Sequence, residues 1–238
     1  MRKNWREKIL IMTLLCAATA VVSPAQTFTT LATFDQTDGE LPEGSLVQGM
    51  DGNLYGTTVD GGGNGGGGGG GTVFRITPAG ELTTLYSFCR LLNCADGAFP
   101  YAGLILGTDG NLYGTTFGGG ANGVGFGGDG TVFTISPGGE LKTLYSFCSQ
   151  TNCTDGSFPQ DSLVQAANGD FYGTTRDGGV NGAGSGGYGT VFEITPSGTL
   201  ATLYSFCSQA NCADGRYPHA GLVQATNGGF MGPPMRAN

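Results

Sequence analysis

Phe133 and Ile135 flank a polar Thr134, and the segment Thr131-Val132-Phe133-Thr134-Ile135 carries the two-residue period of a β-strand. The same pattern stands at Phe74-Arg75-Ile76 and Phe192-Glu193-Ile194. The outer two positions never change, whereas the middle one is Arg, Thr or Glu. An invariant aromatic side and a variable polar side predict a strand with one face packed inward. A second pattern keeps the same beat. DGNLYGTT runs from Asp51 to Thr58 and again from Asp109 to Thr116, then returns as NGDFYGTT at Asn168–Thr175 and as a broken NGGFMGPP at Asn227–Pro234. The steps are 58, 59 and 59 residues, the mark of a repeat architecture.

Within one unit, Ala102 to Phe147, four strands are expected. Gly103–Leu106 is apolar and ends at the turn Thr108-Asp109-Gly110. Asn111–Thr116 is the second strand, Gly130–Ile135 the third and Leu141–Phe147 the fourth, with Ser136-Pro137-Gly138-Gly139 as the turn between the last two. A Gly-rich loop joins the second and third. Leu-Tyr-Ser-Phe recurs in the fourth strand from Leu85, Leu144 and Leu203, and these aromatics read as core. Burying each Phe or Leu is worth about 1.5–3 kcal/mol, which offsets the entropy of so many glycines.

The fold expectation is therefore all-β, a repeat protein of β-propeller-like four-stranded antiparallel blades. A linear β-solenoid is the alternative, although such repeats are shorter and lack internal hairpins. Thr27–Phe34 matches a fourth strand rather than a first, as where one terminus completes a blade begun by the other. Only Gly221–Ala225 and Gly228–Met231 of a fourth unit follow the three full ones. That count falls short of the roughly four to eight blades of a closed ring, so a truncated or frame-shifted chain is expected, an incomplete ring with an exposed edge.

Composition adds compartment. Glycine supplies 47 of 238 residues, yet hydrophobic residues still reach 39%, enough for a core. Arg2, Lys3, Arg6 and Lys8 precede the apolar run Ile9–Val22 and the small residues Ser23-Pro24-Ala25. Residues 1–25 thus read as a secretory signal peptide cut after Ala25, and residues 26–238 as the repeat domain. Leu14-Leu15 before Cys16 argues against lipidation, and no membrane span remains after cleavage. Removing the leader takes away four basic side chains and one acidic one, moving the net charge from −8 to −11. Without a basic patch, nucleic acid is not an expected partner. An extracellular glycan or protein is the partner class left open, and the location expected is secreted or at the cell surface.

Six of seven cysteines form three Cys-x4-Cys copies: Cys89/Cys94, Cys148/Cys153 and Cys207/Cys212. In the first repeat Phe34–Gly39 replaces the ten residues Phe88–Gly97, and both cysteines vanish together, as bonded partners would. Three local disulfides are expected, each worth roughly 2 kcal/mol; a zinc site is the rival. Asp38, Asp96, Asp155 and Asp214 each precede glycine and read as turn-formers rather than calcium ligands. The Gly-rich loops 61–71, 118–130 and 178–189 share an Asn-Gly step at Asn64, Asn122 and Asn181 and read as flexible connections, since no lysine or helix makes them phosphate cradles. His219, the only histidine, takes the place of Glu43, Tyr101 and Gln160 in the other copies, so no catalytic role is assigned to it. No catalytic, metal or cofactor-binding residue is expected.

The run Gly-Leu-Val-Gln…Asp-Gly-Asn-Leu-Tyr-Gly-Thr-Thr…Gly-Thr-Val-Phe-x-Ile-Thr-Pro-x-Gly…Leu-Tyr-Ser-Phe resembles the GloVer tandem repeat of secreted bacterial proteins with variable C-terminal anchors. The likeness covers Thr27 to about Phe230. More distantly the unit is similar to NHL-type propeller blades. The resemblance implies an exported repeat protein and brings no catalytic residues with it. A non-catalytic binding or surface scaffold is the leading expectation. A metal-dependent lactonase is the second; it needs acidic or amide side chains that break the repeat at axis-facing positions, and the sequence reading finds none. A Gly-rich structural or adhesive component is the third.

Overall fold

The computed structural model describes residues 29–63, 69–123, 127–182, 186–226 and 228–232. The expected leader and the end of the chain lie outside the described residues, as does Asn64. Leu31–Asn238 forms one contact unit.

Three four-stranded antiparallel sheets repeat in order along the chain. The first holds β1 (Val47–Gln48), β2 (Leu54–Thr58), β3 (Thr72–Ile76) and β4 (Leu82–Ser87). β5 (Ile105–Leu106), β6 (Leu112–Thr116), β7 (Thr131–Ile135) and β8 (Leu141–Ser146) make the second. The third comprises β9 (Val164–Gln165), β10 (Phe171–Thr175), β11 (Thr190–Ile194) and β12 (Leu200–Ser205). β13 (Val223–Gln224) and β14 (Phe230–Met231) pair as a two-stranded sheet. In each full sheet the strands lie side by side in chain order, and among the described residues no ladder joins one sheet to another. The sheets do not close into a ring, and the all-β repeat expectation holds.

The core lies between successive sheets. Phe88, at the end of β4, meets Phe133 of β7 edge-on with centroids 5.1 Å apart, and Phe147 meets Phe192 at 5.2 Å. Such edge-to-face pairs add to the burial of the rings themselves. Phe133 and Phe192 are fully buried, as the invariant face requires. In the second strands both faces are covered: every residue of β6 and β10 is buried. A strand in the middle of a sheet that is itself covered on both sides has no wet face.

The Gly of Tyr-Gly-Thr-Thr exists because of the core phenylalanine. Gly114 stands opposite Phe133 across the ladder, and a Cβ there would lie 2.7 Å from Phe133 Cζ and 2.8 Å from Leu104 Cδ2. The two threonines after it have separate tasks. The second pairs with the threonine opening the third strand: Thr58 with Thr72, Thr116 with Thr131, and Thr175 with Thr190, each 2.8 Å between buried hydroxyls. The first reaches the next repeat, Thr57 donating to the Ala102 carbonyl at 2.9 Å and Thr115 to that of Asp161 at 3.2 Å.

The segment expected as a leading fourth strand is not one. Its described part, residues 29–34, carries no ladder, with no third strand beside it among the described residues. It still takes the fourth strand's place, with Phe34 on Phe74 at 4.8 Å as Phe88 sits on Phe133.

Candidate functional site

Two loop families meet at one end of the sheets: the glycine loops between second and third strands, and the cysteine loops entering the next repeat. Backbone bonds knit them, Ala98 and Gly118 exchanging both N–H donors and Gly120 donating to the Cys94 carbonyl at 2.9 Å. The cysteine pairs are disulfide-bonded as Cys89–Cys94, Cys148–Cys153 and Cys207–Cys212. Asp129 lies beside Cys148 and Cys153, but a disulfide sulfur is no thiolate ligand, so that group holds no zinc.

The recurring aspartate organises each cysteine loop. Asp155 accepts from the Tyr145 hydroxyl at 2.7 Å, from the Ser149 amide at 2.9 Å and hydroxyl at 3.0 Å, and from the Gln150 amide at 3.3 Å. Asp96 takes the Tyr86 hydroxyl and the Arg90 and Leu91 amides in the same way. Asp214 repeats the set with Tyr204, Ser208 and Gln209. Desolvation raises the Asp214 carboxyl, yet the donors from Tyr204, Ser208 and Gln209 outweigh it and hold the group well below the usual range. Burial and hydrogen bonding, opposed by Ser149, push Tyr145 up to about 12. The glycine after each aspartate has positive φ, +100° at Gly156, and a Cβ there would lie 2.5 Å from Thr175 Oγ1.

The glycine loops are pinned at their described ends. Asn122 donates to the carbonyls of Ser146 and Phe147, and Asn181 to those of Ser205 and Phe206. The shared asparagine therefore ties the loop to the end of the fourth strand, a role beyond the flexible connection read from the sequence. An open groove of about 460 Å³ beside β12 has Asn181, Leu203 and Tyr204 among its lining, but its asparagine amide and tyrosine hydroxyl are already spent within the protein.

The first strands form the inner edge. Ser162 Oγ donates to the Gly103 carbonyl at 3.1 Å, and a Cβ on Gly103 would lie 2.6 Å from the Ser45 carbonyl oxygen. Along this edge the repeats stop matching. Gly44, Ala102 and Ala220 correspond to Asp161, and Val59 and Phe117 to Arg176. Asp161 is thus an acidic side chain that breaks the repeat at the inner edge, where the sequence led to none being expected. Thr174 Oγ1 stands 3.5 Å from Asp161 Oδ2, and Arg176 Nε 3.7 Å from Asp177 Oδ2. Gln160 Oε1 and His219 Nδ1 meet at 2.9 Å. Burial pushes both Asp161 and Asp177 up, opposed by the charge of His219 on each and of Arg176 on Asp177. Next to them, Tyr101, Phe117 and Phe158 stand in a row, with centroids 5.5 and 4.9 Å apart.

Sheets of four antiparallel strands repeating along the chain define a propeller-like repeat protein. The chain belongs to the Gloeobacter/Verrucomicrobia repeat family, whose model matches residues 20–235. Among solved structures it is similar to a candidate gluconolactonase, with 15% identity, TM-score 0.45, 80% of this chain covered and 62% of that one. It is also similar to the extracellular domain of a candidate hybrid two-component system from B. thetaiotaomicron, with 15% identity, TM-score 0.49, and 83% and 21% covered. A candidate glucose dehydrogenase-type oxidoreductase from Thermus thermophilus matches at 16% identity, TM-score 0.46, and 83% and 59% covered. The chain spans less than two thirds of each of these. No curated protein matches it.

Proposed function

We propose that this chain is an exported, disulfide-tied scaffold that binds a partner without catalysing a reaction. One observation carries the reading: the reactive groups that the three cysteine loops share are consumed by the fold. The six cysteines are bonded in pairs, and Asp96, Asp155 and Asp214 have their oxygens filled by tyrosine hydroxyls and loop amides. Export rests on the basic-then-apolar leader and on these disulfides. No helix among the described residues is long and apolar enough to cross a membrane.

A hydrolytic reading draws on the inner-edge group of Asp161, Asp177 and His219, whose carboxyls burial pushes upward. Incubating the purified protein with a panel of lactones, with and without divalent cations, separates the two. No turnover above buffer is expected, and metal-dependent hydrolysis lost in Asp161→Asn would replace the scaffold with an enzyme. Sequencing the secreted N-terminus checks export, with Gln26 as the expected first residue.

A further inference from the structure

We propose that the inner edge from the second to the fourth repeat is a saccharide site, taking one pyranose unit of a neutral glycan on Tyr101, Phe117 and Phe158 and bonding its hydroxyls with Gln160, Asp161 and His219. The proposal rests on the scaffold reading and gives that scaffold a ligand.

Its basis is contiguity. Tyr101, 38% exposed, meets Phe117 edge-on, and Phe117 stacks on Phe158. Phe158 is two residues before Gln160, whose amide oxygen faces the imidazole of His219. The carbonyl of Asp161 receives Thr115, two residues before Phe117. One patch thus joins partly exposed aromatic rings to an amide, a carboxyl and an imidazole. A pyranose asks for that combination: one face is C–H and sits on the electron-rich face of a ring, while its rim offers hydroxyls to planar side chains.

Apart from Phe158, which matches Phe99, the residues are also where the repeat is free to specialise. Tyr101, Gln160 and His219 are successive occupants of one repeat position, whereas the blocks that build the sheets stay constant. Charge argues against other ligands. Arg176 lies beside Asp177, which offsets part of the negative charge a basic peptide or a metal ion requires. A chain of net charge −8 repels phosphorylated ligands. Burial favours the neutral form of the Asp161 carboxyl, and a neutral carboxyl can donate to a hydroxyl as well as accept from one.

The test is an array of defined neutral and acidic oligosaccharides probed with the full exported chain, followed by calorimetry on the strongest hit. Tyr101→Ala and Gln160→Ala are each expected to weaken binding about tenfold or more, while Leu203→Ala, on the exposed outer strand β12, leaves it unchanged. Thermal melts that match the wild type show that the rim variants are folded. A hit indifferent to both rim variants, or hits on acidic glycans alone, would overturn the proposal. So would an array without hits; if a basic peptide then binds through Tyr101, the scaffold reading survives and the saccharide does not. Cleavage of the bound glycan would keep the ligand class and remove the non-catalytic reading.

Discussion

Replacing Asp155 by alanine tests whether the recurring aspartate holds its loop. The carboxylate is fully buried and receives the Tyr145 hydroxyl, the Ser149 amide and hydroxyl and the Gln150 amide. Each donor left without an acceptor costs about 1–3 kcal/mol. Ser149 and Gln150 are exposed, so water can take over part of the duty there, and the half-buried Tyr145 hydroxyl keeps Ser149 Oγ at 2.6 Å as a partner. About 2 kcal/mol is therefore expected for Asp155→Ala. Asp214 provides an internal control, because it makes the same set of bonds in a more exposed setting; Asp214→Ala should cost clearly less. Urea unfolding followed by far-ultraviolet circular dichroism measures both, and hydrogen exchange should show the Ser149 and Gln150 amides losing protection. Repeats contact mainly their neighbours, so the loss should stay in the second and third repeats. The reasoning fails if Asp155→Ala costs under about 1 kcal/mol or if Asp214→Ala costs as much.

Three further outcomes follow from the same contacts. Gly114→Ala forces a methyl against Phe133 and Leu104 and should destabilise by about 1–3 kcal/mol; an unchanged urea midpoint would count against the close fit. Burial and the charge of Asp155 raise the Asp129 carboxyl, so folding carries a penalty that is full above the raised value and absent below the ordinary 3.8. Asp129→Asn should accordingly raise Tm at pH 7 and leave it unchanged at pH 3, read by calorimetry. Tyr145, pushed up to about 12, favours the folded state fully below its ordinary value of about 10, and that contribution is lost as pH rises towards 12. Tyr145→Phe should flatten this alkaline loss, seen as a smaller drop in Tm between pH 9 and pH 11.

The strand plan was legible because each repeat is a replicate of the others. Expected strands such as Gly130–Ile135 differ from β7 (Thr131–Ile135) by one residue, since an invariant Phe-x-Ile with a varying middle residue is direct testimony to burial. The disulfides were legible for the same reason, through their joint loss in the first repeat. Hydrogen-bond roles were less so. Nothing in Asp-Gly announces that its carboxylate reaches back ten residues to Tyr145, because that contact depends on how the loop folds over. The third repeat shows how such a role hides behind substitution. Asn168 replaces Asp51 and Asp109, and the tyrosine hydroxyl that those aspartates accept is taken by Glu193 from the neighbouring strand. Asn168 comes with Glu193, so one carboxylate stays on the tyrosine.

The inner edge was illegible for a reason built into repeats. Constancy between copies reports what every sheet needs in order to pack, and a ligand site on a repeat scaffold is by nature something most copies lack. Asp161, Arg176 and His219 therefore look like noise when the units are aligned. Their meaning appears only when folding sets the inner ends of adjacent repeats side by side, so that His219 meets Gln160 across 59 positions of sequence. The informative residues for packing are those that never vary. For the recognition proposed above they are those that vary at one place in space, and the two sets barely overlap here: of Tyr101, Phe117, Phe158, Gln160, Asp161 and His219, only Phe158 has the same residue in another copy, Phe99.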